Sequence, residues 1–144
     1  MRKKVMYIGI IVVAIIIAVV IVMLANPLRR SEERIRDSIL RITPIGMSME
    51  DVLNIIEDNG RWEIRHIFDQ GYIVGRWGVR GPHQGYFISG HDVAIVGVAS
   101  LEVHIGSYNF LFFFLEERVS VFFGFDKDSK LVDIGIRKYA IDTF

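Results

Sequence analysis

Few side chains in this chain are of types that do chemistry, and their spacing decides what they could do. Four histidines stand at positions 66, 83, 91 and 104, with Asp92 beside His91. Zinc sites are built on ligand pairs about two to four residues apart. No such pair occurs here, so no metal site is expected, and the histidines read as two loop and two strand residues. Ser89, His91 and Asp92 supply the residue types of a nucleophilic relay. Within SGHD they lie too close in sequence to converge on one side of a strand, and no G-x-S-x-G elbow is present. Asp126-Lys127-Asp128-Ser129 begins like a calcium loop. Its sixth position, Leu131, should be glycine and its twelfth, Arg137, a bidentate acid, so the segment reads as a turn. Cysteine is absent, which removes thiolate nucleophiles, disulfides, thiolate metal sites and a lipid-modified N-terminal cysteine. No catalytic residue, cofactor or metal is expected.

Recognition is the chemistry that remains. Arg61, Arg65, Arg76 and Arg80 interleave with Trp62 and Trp77, an arrangement suited to cation–π contacts with, or ion pairing to, cell-wall polymers or peptide carboxylates. The bland alternative is a core Trp62 ringed by solvated arginines. A second basic group, Arg29, Arg30, Arg34 and Arg36, follows the apolar N-terminal run directly. It is placed to touch lipid phosphates, each base near such a surface contributing about 1 kcal/mol.

Those groups need elements to hold them. Residues 5–25, VMYIGIIVVAIIIAVVIVMLA, carry no charge. As a helix they would cover roughly 30 Å at about 1.5 Å per residue, so the reading is a transmembrane helix. The run is longer than a signal-peptide core, and Met23 sits where a small residue is wanted before Ala25, so an uncleaved signal anchor is expected. The tail 1–4, with Arg2, Lys3 and Lys4, is assigned to the cytoplasm and 26–144 to an extracytoplasmic domain. Removing those three bases from 17 leaves 14 against 17 acids, a net of −3. Nucleic acid would want the opposite sign, so the expected partners are the lipid bilayer and another membrane or envelope protein. Ala14 and Ala18, with Gly9 nearby, give a weak small-xxx-small pattern for lateral pairing.

After Asn26-Pro27 the period is helical. Ser31 is an N-cap with Glu32 and Glu33 in the first turn, and Ile35, Ile39 and Ile42 form a narrow stripe. Ser48 and Asp51 make a variant capping box ahead of Met49, Val52, Leu53 and Ile56, and Gly60 is a ready left-handed cap. From Arg61 the period becomes 2: Trp62, Ile64, His66 and Phe68 alternate with Glu63, Arg65, Ile67 and Asp69. Residues 71–90 carry six glycines and Pro82 and read as a long loop or an irregular hairpin. Strand character resumes at 92–106, with Leu101, Val103 and Ile105 inward and Glu102 and His104 outward. It continues at 110–126 and 131–139. The six apolar residues 110–115 are too few to span a membrane. The expected fold class is α+β: an N-terminal transmembrane helix, then two short helices packed on a three- to four-stranded antiparallel sheet.

GMSMEDVLNII resembles the Gly-Met-(Ser/Thr)-x-x-(Glu/Asp)-Val-x-x-(Leu/Ile) signature of the SmpA/OmlA (BamE-like) domain, on Gly46, Met47, Ser48, Asp51, Val52 and Ile55. The closing VSVFFGFDKDSKLVDIGIRK is similar to the ending of small single-pass membrane proteins of Gram-positive bacteria. The first resemblance implies the fold shared with β-lactamase-inhibitory protein and action through protein contacts rather than catalysis. Relatives of that family carry a lipobox cysteine that this chain lacks, so a role in outer-membrane assembly does not carry over. The leading reading is a single-pass membrane protein presenting a protein- or envelope-binding module. The alternatives are an envelope enzyme using the glycine-rich loop 71–90 and a structural subunit of a membrane complex.

Overall fold

The computed structural model describes residues 2–76, 78–82, 93–110 and 115–142, with side chains left out at 2–6, 23–24, 110, 115 and 142. Three α-helices open the chain: α1 (Arg2–Leu24), α2 (Glu32–Leu40) and α3 (Met49–Asn59). A 3-10 turn, Pro27–Arg29, links the first two. Seven strands follow: β1 (Glu63–Phe68), β2 (Tyr72–Gly75), β3 (Gly78–Arg80), β4 (Val93–Val96), β5 (Ala99–Phe110), β6 (Leu115–Phe125) and β7 (Leu131–Asp142).

The α+β class holds, but two parts of the expected architecture need correction. Among the described residues no helix is long and apolar enough to cross a membrane. The expected N-terminal transmembrane helix is therefore not borne out. The second correction concerns the sheet. The strands form two antiparallel sheets, a main one in the order β1-β5-β6-β7 and a small one in the order β3-β2-β4. Of the two readings of the glycine-rich region, the irregular hairpin is what β2 and β3 form, and β4 joins them from beyond it to make a second sheet. The stretch 92–106, taken as one strand, is broken at Gly97, whose φ of +79° few other residues adopt and where a Cβ would sit 2.7 Å from the Phe125 backbone. The two halves then enter different sheets.

The helix caps follow from sequence. The hydroxyl of Ser31 accepts from Arg34 N, and that of Ser48 from Asp51 N at 3.1 Å. Gly60 ends α3 at φ +64°. Helices α2 and α3 cover one face of the main sheet. Ile35, Ile39, Val52 and Ile56 pack there on Leu101, Val103, Val119, Val121, Phe123, Phe125, Ile134 and Ile136, all buried. Each such side chain contributes roughly 1.5–3 kcal/mol by leaving water. Ile42, expected in this stripe, is instead exposed beyond the C-terminal end of α2. The motif Gly46-Met47-Ser48 pairs with the β6–β7 turn: Gly46 N donates to Leu131 O, Leu131 N to Met47 O, and Met49 N to Ser129 O.

The small sheet lies on the other face. Tyr72, 1 % exposed, sits where a Cβ on Gly124 or Gly135 would come within 2.9 Å of its ring. Its ring centroid is 6.0 Å from that of Phe122. The molecule is therefore three layers: helices, main sheet, small sheet. At the far edge Arg36 donates to Asp133 and to the Ile134 carbonyl, fastening α2 to β7.

Candidate functional site

The two basic groups singled out in the sequence are distributed differently from their spacing. Arg61 and Arg65 flank or occupy β1, an edge of the main sheet. Arg65 is the extra residue of a bulge between Ile64 and His66 and pairs with Glu63 at 3.1 Å. Arg80 ends β3, which packs on β7, the opposite edge. Three strand spacings, about 14 Å, separate those edges. Arg76 is exposed in the β2–β3 turn, and Trp77 lies outside the described residues. Trp62 is half-buried against the core. The structure thus does not gather these arginines into one surface. His83, Ser89, His91 and Asp92, with most of the second half of the glycine-rich segment, also lie outside the described residues. So do residues 111–114 of the apolar run.

Of the second basic group, Arg36 is committed to Asp133, and Arg29 reaches Asn109 O and the face of the Tyr108 ring, 5.3 Å from its centroid. Their hydrogen-bonded neighbour holds the Arg36 guanidinium above its ordinary range, Asp133 being the largest cause. Arg30 and Arg34 are exposed. The Tyr108 hydroxyl donates to Glu117, and burial, reinforced by that bond, pushes the phenol up to about 12. The motif residues Gly46, Met47, Ser48, Asp51 and Val52 are spent on capping α3, on pairing with the last turn and on the core.

A different constellation comes from the topology. The bulge at Arg65 reverses the side-chain alternation of β1. Ile64 stands opposite Val103 on the helix side, whereas His66 stands opposite Glu102 and Phe68 opposite Ser100 on the other. The expected single face of Trp62, Ile64, His66 and Phe68 is therefore split between two. Cross-strand partners then run Glu63–His104–Ser120–Arg137 across all four strands, on the face away from the helices. This row borders the part of that face covered by Tyr72. The next row, His66–Glu102–Phe122–Gly135, passes beneath the small sheet. Glu102, expected outward and wet, is 7 % exposed there, and its carboxylate lies 3.4 Å from His66 Nδ1.

At the centre of the polar row two atoms are buried without a hydrogen-bond partner: His104 Nδ1 and Ser120 Oγ. Burial, with the Arg65 and Arg118 charges adding, holds the His104 imidazole below its ordinary range, so it is neutral at pH 7. The surrounding charges pair among themselves, Arg65 with Glu63 and Arg118 with Glu116 at 3.3 Å. Ser107 and Arg118 hydrogen bonds hold the Glu116 carboxyl below its usual range. Serine, histidine and glutamate are the types of a nucleophilic relay, but His104 Nδ1 and Ser120 Oγ bond to nothing, so the row is not wired as one. It offers instead one imidazole and one hydroxyl, each able to donate and accept. Among the described residues no group of three or more histidines and acids could hold a metal ion. Sequence reasoning missed this row because it depends on two bulges and on cross-strand register. The visible signal was Glu102 and His104 alternating with inward apolar residues. No family model, characterised protein or solved structure matches this chain.

Proposed function

We propose that this chain is a non-catalytic binding module held at a membrane by its apolar N-terminal helix, with its α+β domain on the extracytoplasmic side. It binds a protein or polymer of the cell envelope through the polar face of the main sheet. The observation that carries the reading is the pair of unpartnered groups at the centre of that face, His104 Nδ1 and Ser120 Oγ. A buried donor or acceptor left unmade costs about 1–3 kcal/mol, a cost that a partner's group would remove. Because the flanking charges are already paired, the centre suits a neutral amide or hydroxyl better than a bare anion.

Two further observations support the setting. Every described side chain of α1 is exposed, with Val20 at 47 % and Val22 at 72 %, so its apolar surface is left for lipid to cover. The order of two capped helices before an antiparallel sheet, with Gly46-Met47-Ser48 tied to the last turn, agrees with kinship to the SmpA/OmlA domain. A photo-reactive residue in place of Glu63, in the polar row, should give a discrete adduct in native membranes that Ser120→Ala diminishes. The same probe at Glu57, on the exposed side of α3, should not give it. Identical adducts from both positions, or none from Glu63, would discard the reading.

A further inference from the structure

No free tether separates the apolar helix from the sheet. Asn26 accepts from Leu28 N at 3.0 Å and starts the 3-10 turn. Leu28 then presses on β5 so closely that a Cβ at Gly106 would lie 2.8 Å from its Cδ1. Arg29 donates to Asn109 O near the end of β5. Lys138 of β7 donates to Arg30 O, and its ammonium lies 5.6 Å from the centre of the same Tyr108 ring that Arg29 covers. Packing, hydrogen bonds and two cation–π contacts thus fix residues 26–30 on one end of the main sheet. Leu28 is four residue steps from Leu24, where α1 stops, and extended chain of that length reaches at most about 14 Å. The opposite end, at the β6–β7 turn, is about 33 Å away along the 11 residues of β6.

We infer that the part of the main sheet on which segment 26–30 is docked, around Asn109 of β5 and Lys138 of β7, is a lipid-headgroup surface held against the bilayer by that segment. This rests on the proposed membrane attachment through α1 and adds to it a fixed side of the domain. The exposed Arg30 and Arg34 meet lipid phosphates there, beside Arg29 and Lys138. The polar row lies part-way up the sheet from this end, so its partner approaches from beside the membrane rather than from across it.

The chain contains no cysteine, so single labels are straightforward. Full-length Asn109→Cys and Lys127→Cys would each carry bimane in vesicles of equal parts phosphatidylcholine and phosphatidylglycerol, with a nitroxide on some headgroups. Asn109 and Lys127 both have exposed side chains. The expected result is strong loss of bimane emission at position 109 and almost none at 127. The double variant Arg29→Ala/Lys138→Ala should bring the two positions closer together while the protein still floats with the vesicles. Equal quenching at 109 and 127 in floating, otherwise wild-type protein would overturn the surface assignment and leave membrane attachment standing. Protein that does not float with vesicles would overturn the attachment, and the surface with it.

Discussion

On the helix side of the main sheet, β6 contributes Val119, Val121, Phe123 and Phe125, all at 0 % exposure and all against apolar neighbours. On the other side the same strand contributes Ser120, Phe122 and Gly124, also at or near full burial, yet each with a different neighbour. Gly124 makes room for Tyr72, Phe122 meets that ring, and Ser120 meets no partner for its hydroxyl. Equal burial therefore hides unequal use. One face is a dry core filled to density, and the other is a close approach followed by an unsatisfied polar row.

Truncating the dry face should do the most damage. Phe123→Ala removes a ring at the centre of the helix–sheet core and should cost about 3–5 kcal/mol in chemical denaturation of the domain. A loss under about 1 kcal/mol would mean that this face is not the main source of stability.

The second face should respond to added volume rather than to its removal. A Cβ at Gly135 would lie 2.8 Å from both Val79 methyl groups and 2.9 Å from Tyr72 Cε2. Gly135→Ala should therefore cost about 1–3 kcal/mol by prising the small sheet away, with Tyr72 fluorescence reporting the movement. Unchanged stability would show that β3 yields without cost.

Ser120→Ala should act with the opposite sign. It removes a buried hydroxyl that has no partner, so the free domain should gain up to about 1 kcal/mol, seen as a thermal midpoint higher by a few degrees. The same variant should weaken the crosslink from position 63. A variant that is both more stable and poorer at capture separates a binding role from a packing accident; greater stability with unchanged capture would assign the hydroxyl to accident.

What was legible in the chain divides along the same line. The caps at Ser31, Ser48 and Gly60 and the apolar positions of α3, β5 and β6 are local signals, since each depends on neighbours within about a turn or a strand. Of the small sheet only the β2–β3 hairpin was legible, as one of two readings. Six glycines between Gly71 and Gly90 look like loop composition, and nothing local reveals that Gly124 and Gly135 are spaces cut for Tyr72. The polar row was hidden for a related reason. The bulge at Arg65 and a second one between His104 and Gly106 alter the alternation that a period of two assumes. The arginine–tryptophan pattern looked continuous in sequence, whereas pairing sends Arg65 and Arg80 to opposite edges. Side-chain alternation predicts which face a residue takes only as far as the next bulge.

The smallest expected effect is also the one that tests the polar row most directly. His104 titrates below its ordinary value because burial, then the Arg65 and Arg118 charges, disfavour its cation. Its unfolded-state pKa is near 6.5, so below that pH the unfolded chain takes up a proton that the folded domain resists. Stability is then unaffected by this group well above pH 6.5 and declines as pH falls beneath it. His104→Gln keeps a neutral donor and acceptor and removes the titration. The difference in midpoint between wild type and H104Q should therefore be nearly constant from pH 8 to 7 and shift in favour of H104Q on acidification. His66, which faces Glu102 across the strands, is the same in both proteins. A glutamate–histidine pairing at Glu63 and His104 would reverse the slope, because a protonated imidazole would then be held by the carboxylate. Glu63 instead pairs with Arg65, and this pairing leaves the centre of the row neutral. Reversal of the slope would place a cation where the binding proposal requires an uncharged ring.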